Sequence, residues 1–415
     1  MLWVEQEVGR VIVRCKPDKP LDTDHPARPF RLLLCWLGTV IGCAGLGAAF
    51  LHGLSTVSVA FNNHGWLLYS LPLIGLASVW IYRHWATAAD GGMRRVQDAV
   101  EGGQTLAPST APAIVATTLL SHLGGASVGR EGTAVQMGAG IADLCVGWAK
   151  PGPSARRMLL LCGIAAGFSA VFGTPLAGAV FALEFMRRAS WAFIPCLAAS
   201  WGADFIARHA FLAPHSDYRL PFGPDLGAET FLWAAVIGVA SAVGATAYLL
   251  ALRLRSRIES AFPSPYLRVA VGGVFVAVLL LPEGGRNFSG LGLQLIEASF
   301  QTALPTPVFI LKLIITAACV LFGFRGGEVT PLLAAGAALG SAMGAWIGLP
   351  VVQCAALGMV ALFAGAGKVP LTCIALAAEL FHPGMALLAA LACATSALLT
   401  RSQGLYFRPA REVSG

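Results

Sequence analysis

Charged side chains are scarce in this chain of 415 residues, where 12% are Asp, Glu, Lys or Arg and 56% are hydrophobic. Soluble domains carry about a quarter charged residues. A soluble core cannot absorb so much apolar surface, so the composition excludes an ordinary soluble domain. The 48 glycines are spread through the apolar stretches, which favours close helix packing in lipid. We expect a bundle of membrane helices.

Metal and disulfide signals are also absent from the sequence. The ten cysteines are scattered, none forms a CxxC pair, and no histidine stands near them at metal-ligand spacing. We interpret them as small buried hydrophobic residues and expect no disulfide, no metal and no cofactor. An enzyme acting inside the bilayer would need a nucleophile and base or a metal set, such as GxSxG or HExxH, and we identify none. The chain is predicted not to be an enzyme.

Basic residues exceed acidic ones by 28 to 21, and they collect between the apolar runs. This distribution is the positive-inside pattern of membrane proteins and predicts no nucleic-acid partner. Residues 1–30 have mixed polarity and do not form a secretory signal, so we expect cytoplasmic termini. The basic groups are Arg94-Arg95, Arg156-Arg157, Arg187-Arg188 and the Arg253 to Arg257 cluster.

From Leu32 onward the apolar segments follow one another closely, and several are too short to cross the bilayer. A transmembrane helix needs about 20 residues. Gly and Pro separate the short segments, which predicts broken helices that end inside the membrane, with their backbone buried in protein or lining a cavity. The breaks are at residues 129–133, 173–175, 326–331 and 368–370.

An internal repeat relates the two halves of the chain. Pro175-Leu-Ala-Gly-Ala-Val-Phe-Ala-Leu-Glu184 shares its Pro, Leu and final Glu with the segment from Pro370 to Glu379, 195 residues later. Gly129-x-Glu131-x-Thr133 matches Gly326-x-Glu328-x-Thr330 at 197 residues. Duplicated halves with paired broken helices are typical of transporters whose site lies between the repeats, with helix N-termini aimed at an anion.

Five ordered motifs between about residues 35 and 407 resemble the CLC family of chloride channels and proton-coupled antiporters. Gly129-Arg-Glu-Gly-Thr133 resembles the family's GREGP, and the segment from Gly163 to Glu184 resembles the helix pair that follows it. Gly327-Glu-Val-Thr-Pro331 stands in place of GxFxP, Lys368-Val-Pro-Leu-Thr372 in place of a basic residue before PLT, and Gly404-Leu-Tyr406 in place of the pore tyrosine.

The resemblance implies an all-α polytopic membrane protein of about eighteen helices in two inverted repeats, with broken and re-entrant helices. It implies a homodimer in the lipid bilayer, with one anion pathway per subunit. We predict a single transport domain over residues 31–408, with repeats at about 31–215 and 228–408 and a short cytoplasmic tail at 409–415. The short C-terminal end favours a prokaryotic protein of the inner (plasma) membrane.

Departures from the family pattern bear on the choice of anion. The serine-bearing GSGIP motif is missing where Asp90-Gly-Gly-Met-Arg-Arg95 stands, Thr133 replaces the Pro of GREGP, and Val329-Thr330 follows the second glutamate. Together these resemble the bacterial fluoride/proton antiporters of the family. The predicted function is therefore fluoride export in exchange for protons, and a chloride/proton antiporter or chloride channel is the alternative.

In the resembling family the glutamate at the position of Glu131 is the gate and proton carrier. A second proton glutamate of the chloride antiporters is replaced here by Phe185, so the internal route is open between Glu184, Glu328 and water. Structural alternatives also stay open. Glu131 could be a partner of Arg130, and Glu328 of a basic neighbour such as Arg325. Glu184 and Glu379 could be structural, Tyr406 an interfacial aromatic, and Met93 a packing residue. The predicted anion-binding residues are Gly129, Arg130, Gly132, Thr133, Gly327, Glu328, Val329, Thr330, Tyr406 and Met93.

Overall fold

A computed structural model describes residues 28–186, 190–220, 223–401 and 404–406, and its regular elements are helical. Most of the predicted N-terminal segment 1–30, the tail 409–415 and the Arg187-Arg188 pair lie outside the described residues. Residues 28–30 already belong to the first helix. Within the described ranges, extended pairing is limited to an isolated bridge between Gly129 and Gly327.

The first half contains one long helix of 36 residues and several short ones. A 3-10 turn at Gly65–Ser70 precedes the second helix, and a π turn at Ile81–Trp85 extends it. The helices are α1 (Arg28–Asn63), α2 (Leu71–Trp80), α3 (Gly92–Gly102), α4 (Thr110–Leu123), α5 (Glu131–Ala149), α6 (Pro153–Phe172), α7 (Pro175–Met186) and α8 (Phe193–His209).

The second half repeats this arrangement of long and short helices. Its helices are α9 (Ala228–Leu252), α10 (Arg255–Ala261), α11 (Pro265–Leu280), α12 (Leu293–Gln301), α13 (Pro307–Phe322), α14 (Val329–Ile347), α15 (Val351–Gly367), α16 (Pro370–Leu380) and α17 (Met385–Leu399). Across the described residues, five helical stretches are long and apolar enough to cross a membrane by length and composition. The shorter apolar helices agree with the prediction of broken helices.

Three helices were missed by the hydropathy pattern, namely α3, α10 and α12. Helix α3 reads Gly-Met-Arg-Arg-Val-Gln-Asp-Ala-Val-Glu-Gly and buries only one side, through Val96, Ala99 and Val100. An amphipathic helix of this kind has too little apolar character to stand out among membrane segments.

The core of each repeat is a pair of helices in backbone contact, α5 with α6 and α14 with α15. A Cβ atom added at Gly138 would overlap the carbonyl oxygen of Gly163, and one added at Gly336 would overlap that of Gly358. Glycine at these positions lets the helix axes approach closely, as expected for helices that associate in lipid.

Helices α7 and α16 form a reciprocal contact between the repeats. The carboxylate of Glu184, near the end of α7, accepts hydrogen bonds from the backbone N–H groups of Leu371 (3.0 Å) and Thr372 (2.8 Å) at the start of α16. The carboxylate of Glu379 on α16 accepts bonds from Leu176 and Ala177 of α7, each at 2.8 Å. Each helix therefore caps the positive end of the other.

Candidate anion site between two broken helices

The candidate site begins where the turns before α5 and α14 meet. The N–H of Gly129 donates to the carbonyl of Gly327 at 2.5 Å, and the N–H of Gly327 donates to the carbonyl of Gly129 at 2.6 Å. A Cβ atom at Gly132 would lie 3.0 Å from the Cα of Gly327, so the turns can approach this closely only without side chains. The two repeat-related turns are thus joined face to face, as the repeat predicted.

Glu131 is the first residue of α5, yet its carboxylate is bound by a helix of the other repeat. Its Oε2 accepts a hydrogen bond of 3.0 Å from the backbone N–H of Thr330, in the first turn of α14. Its Oε1 accepts a second bond from the Thr330 hydroxyl. The side chain is 1% exposed. The carboxylate therefore occupies the positive N-terminal end of α14, the place where a helix binds an anion.

Arg130 is a weaker partner of Glu131 than Thr330 is. Its Nε lies 3.9 Å from Glu131 Oε1, and its guanidinium is 5.1 Å from the ring centre of Phe172. The Nε atom is buried without a hydrogen-bond partner among the described residues. The alternative that Glu131 serves only as a partner of Arg130 is thus disfavoured, because the short contacts of the carboxylate go to α14.

Thr133 and Gly132 hold the first turn of α5 in place. The hydroxyl of Thr133 lies 2.7 Å from the hydroxyl of Thr118 on α4, and both side chains are fully buried. The carbonyl of Gly132 accepts a bond of 2.9 Å from the side-chain amide of Gln136. Where the family has Pro, this chain has a threonine that binds the neighbouring helix.

Glu328 turns away from the site centre. It is the residue before α14, and its Oε2 accepts a 2.8 Å hydrogen bond from the hydroxyl of Tyr248 on α9. The suggested ion pair between Glu328 and Arg325 is wrong. The guanidinium of Arg325 pairs with Asp90 at 3.1 Å and stacks on the ring of Tyr82. Glu328 is partly exposed, whereas Glu131 is not.

Val329 and Thr330 form the first turn of α14 and are both buried. Thr330 presents two donors, its N–H and its hydroxyl, to the Glu131 carboxylate. Val329 packs into the main hydrophobic core and offers no polar side-chain atom. Of these two residues, Thr330 is therefore the one equipped to bind an anion through its side chain.

Tyr406 and Met93 border this region from other elements. The Tyr406 ring packs edge-on against Phe185 at 5.2 Å and Phe181 at 5.8 Å between ring centres, and its carbonyl accepts a bond of 3.1 Å from Gln97 on α3. Met93, one turn before Gln97, is partly buried against the same core. The role of Met93 as an anion-binding residue stays a prediction.

Glu184 contributes to helix capping, as described above, and also accepts a 2.7 Å bond from the Thr372 hydroxyl. These contacts favour a structural role, and the proton-route role of Glu184 stays a prediction.

Four residues near the site were missed by the sequence reasoning. Tyr248, Thr118, Gln97 and Phe181 each lie inside an apolar or amphipathic helix, and nothing in their local pattern separates them from packing residues. The expectation that the chain has no GxSxG motif is wrong, because Gly125-Ala-Ser-Val-Gly129 matches it. The Ser127 hydroxyl lies 2.8 Å from the Thr316 hydroxyl, and no histidine is among its hydrogen-bond partners in the described chain. The match therefore does not form a catalytic serine elbow.

Comparisons with known proteins agree with this architecture. Residues 74–401 match the family model described as "Voltage gated chloride channel". A "Chloride/fluoride channel protein" of Pseudomonas syringae pv. tomato is 35% identical, over 91% of this chain and 88% of its own length. An "H(+)/Cl(-) exchange transporter" of Cronobacter sakazakii is 28% identical, over 87% of this chain and 84% of its own.

Two solved structures share the fold. The structure of "a CLC-type fluoride/proton antiporter" has a TM-score of 0.87 and 28% identity, and covers 92% of this chain and 98% of its own. A "slow cyanobacterial Cl-/H+ antiporter" has a TM-score of 0.79 and 22% identity, with 91% and 94% covered. These matches confirm the predicted fold of two inverted repeats with broken helices. Taken with the five motifs and the paired glycine turns, they show that this chain is a multi-pass membrane protein of the CLC family.

Proposed function

We propose that this protein exchanges fluoride for protons and exports fluoride from the cytoplasm. The observation that carries the proposal is the position of the Glu131 carboxylate at the N-terminus of α14. There it accepts hydrogen bonds from the N–H and the hydroxyl of Thr330. A free anion that binds there must displace Glu131. The ionised side chain is thus a tethered competitor for the anion site.

Protonation of Glu131 links anion binding to proton transport. A protonated carboxyl has lost the charge that the positive end of α14 attracts, so it leaves the site more readily and admits an anion. When the anion leaves, the deprotonated side chain returns. Because one group carries the proton and blocks the anion site in turn, movements of the two ions in opposite directions are coupled.

Fluoride is favoured over chloride by the groups around the site. Fluoride is strongly hydrated, so removing its water requires strong donors. The buried Thr330 supplies an N–H and a hydroxyl, and the turn at Asp90-Gly-Gly-Met-Arg-Arg95 lacks the serine of the chloride transporters. The fluoride-handling relatives support this choice. Chloride exchange is the alternative, and the likeness to chloride exchangers supports it.

For the internal proton route we favour Glu328 over Glu184. Glu328 lies beside the site on a partly exposed turn, one residue before α14. Both carboxylate oxygens of Glu184 are engaged by backbone N–H groups of α16. We place the protein in the inner membrane of a prokaryotic cell, with cytoplasmic termini and as a homodimer, on the resemblance to the bacterial members of its family.

The test is a flux assay on the protein reconstituted in liposomes. A fluoride gradient is expected to drive proton movement in the opposite direction, and a chloride gradient to give much slower flux. Glu131→Gln should abolish the coupling, because the side chain can no longer bind and release a proton. Fluoride is followed with a selective electrode and protons with a pH-sensitive dye.

Two further variants complete this assay. Glu259→Gln, which changes a surface carboxylate that is 46% exposed, is the matched control and should transport like the native protein. Glu184→Gln should keep its coupling ratio, and a loss of coupling there would establish the Glu184 route. Chloride flux equal to fluoride flux would contradict the fluoride assignment, and coupled transport by Glu131→Gln would contradict the role of Glu131.

A further inference from the structure

The two repeat-related glutamates take different partners although their turns are paired. Glu131 and Glu328 are 197 residues apart, and each stands at the start of a broken helix. Glu131 reaches across to the N-terminus of α14. Among the described residues, Glu328 is bound by Tyr248 on α9 and forms no side-chain cap on α14. The symmetric backbone therefore carries an asymmetric pair of carboxylates.

Glu328 also stands next to the N-terminus of its own helix. A side-chain oxygen at the residue before a helix can accept hydrogen bonds from the backbone N–H groups two and three residues later. Three residues after Glu328 stands Pro331, which has no N–H, so the available donor is the N–H of Thr330, the same group that binds Glu131. Glu328 in this capping position would thus compete directly with Glu131, and with any anion that replaces it.

Tyr248 keeps Glu328 in its alternative position. The Tyr248 side chain on α9 is 2% exposed, and its hydroxyl donates to Glu328 Oε2 at 2.8 Å. A buried tyrosine hydroxyl needs a partner, so the bond fixes both side chains. Counting back 197 residues from Tyr248 leads to Leu51 of α1, a buried residue with no hydroxyl. The first repeat has no such tether at that position, and there the glutamate crosses over.

We propose that Tyr248 is a positioning residue that holds Glu328 off the N-terminus of α14 and reserves the Thr330 donors for Glu131 and the transported anion. This inference rests on the proposed anion site at α14, whichever halide occupies it. It concerns anion affinity and acts entirely through Glu328.

Equilibrium anion binding tests the inference, with sodium fluoride and, separately, sodium chloride titrated into the purified protein by isothermal calorimetry. Tyr248→Phe keeps the ring and removes the hydroxyl, so Glu328 is released to compete for α14. The expected result is about a fivefold to tenfold weaker affinity, in the range of one ordinary hydrogen bond. Tyr266→Phe, which changes a partly buried tyrosine of α11, is the control and should bind like the native protein.

A double-mutant cycle separates this role from simple packing. In a Glu328→Ala background, Tyr248→Phe should have no further effect, because the group it positions is gone. Glu328→Ala alone should bind the anion at least as tightly as the native protein, and this arm stands even if Tyr248→Phe does not fold. Unchanged affinity in Tyr248→Phe, additive losses in the double variant, or weaker binding in Glu328→Ala would each overturn the inference. A native preference for chloride would contradict the fluoride assignment and leave this comparison intact.

Discussion

At the scale of single residues, the distances around Glu131 decide between two interpretations. A glutamate that follows an arginine in the sequence could be its ion-pair partner. The 3.9 Å separation from Arg130 Nε is longer than the 3.0 Å bond to the Thr330 N–H. The carboxylate is therefore bound at the N-terminal end of α14, and Arg130 contributes a nearby positive charge.

Thr330 is the residue on which selectivity is expected to depend. Thr330→Val keeps the size of the side chain and the backbone N–H but removes the hydroxyl donor. A strongly hydrated anion loses more by this change than a weakly hydrated one, so we expect the ratio of fluoride flux to chloride flux to fall about tenfold, as for one lost charge-assisted bond. The ratio is measured in the same liposomes.

Thr330→Ser is the matched control for this substitution, because it retains the hydroxyl. Its flux ratio should stay within about twofold of the native value, which corresponds to less than ~0.5 kcal/mol. If the valine variant kept the native ratio, selectivity would have to come from the backbone N–H groups and from elements outside α14.

At the scale of helices, glycine contacts determine how closely the central pairs approach. Gly138 on α5 faces the carbonyl of Gly163 on α6, and an added Cβ atom would overlap it. Gly138→Ala should lower the thermal unfolding temperature in detergent, since overpacking of a tight interface costs about 1–3 kcal/mol. Fluorescence-detected size exclusion after heating measures the fall in unfolding temperature.

Gly147, on the same helix, provides the comparison. A Cβ atom there would meet nothing within 4 Å. Gly147→Ala should be neutral or stabilising by up to about 1 kcal/mol, because alanine has the higher helix propensity. Equal effects of the two substitutions would show that helix propensity, and not the contact with α6, governs stability here.

The capping of α7 and α16 is a second property of the elements. Each helix is short and begins with Pro, and each receives a glutamate from the other repeat on its first free N–H groups. Such contacts satisfy backbone groups that lipid cannot hydrate. The repeat equivalence of Glu184 and Glu379 thus has a structural explanation.

At the scale of the whole molecule, large apolar side chains lie exposed on α8, α16 and α17. They are able to face lipid or a second copy of the chain. We expect light scattering in detergent, corrected for bound detergent, to give a protein mass twice that of one chain, independent of dilution over a tenfold range. A monomer mass would contradict the homodimer. Examples are Ile194, Trp201, Phe205, Leu371 and Leu398.

The sequence by itself determined the class of the protein and much of its site. The low charge and the long apolar segments require a membrane environment, and Gly and Pro mark where helices break. Composition and helix breaks are local properties of the chain, so the sequence alone reveals them. The repeat placed Glu131 and Glu328 in equivalent turns. Helices α3, α10 and α12 escaped detection because amphipathic or short polar segments carry no strong hydropathy signal.

Only the tertiary structure decided which partner each carboxylate takes. Thr330 lies 199 residues from Glu131, Tyr248 lies 80 residues from Glu328, and Leu371 lies 187 residues from Glu184. No local pattern encodes such pairs, because they depend on how helices that are distant in sequence pack against one another. Because of this packing, Glu131 binds the N-terminus of α14, Glu328 binds Tyr248, and Glu184 caps α16.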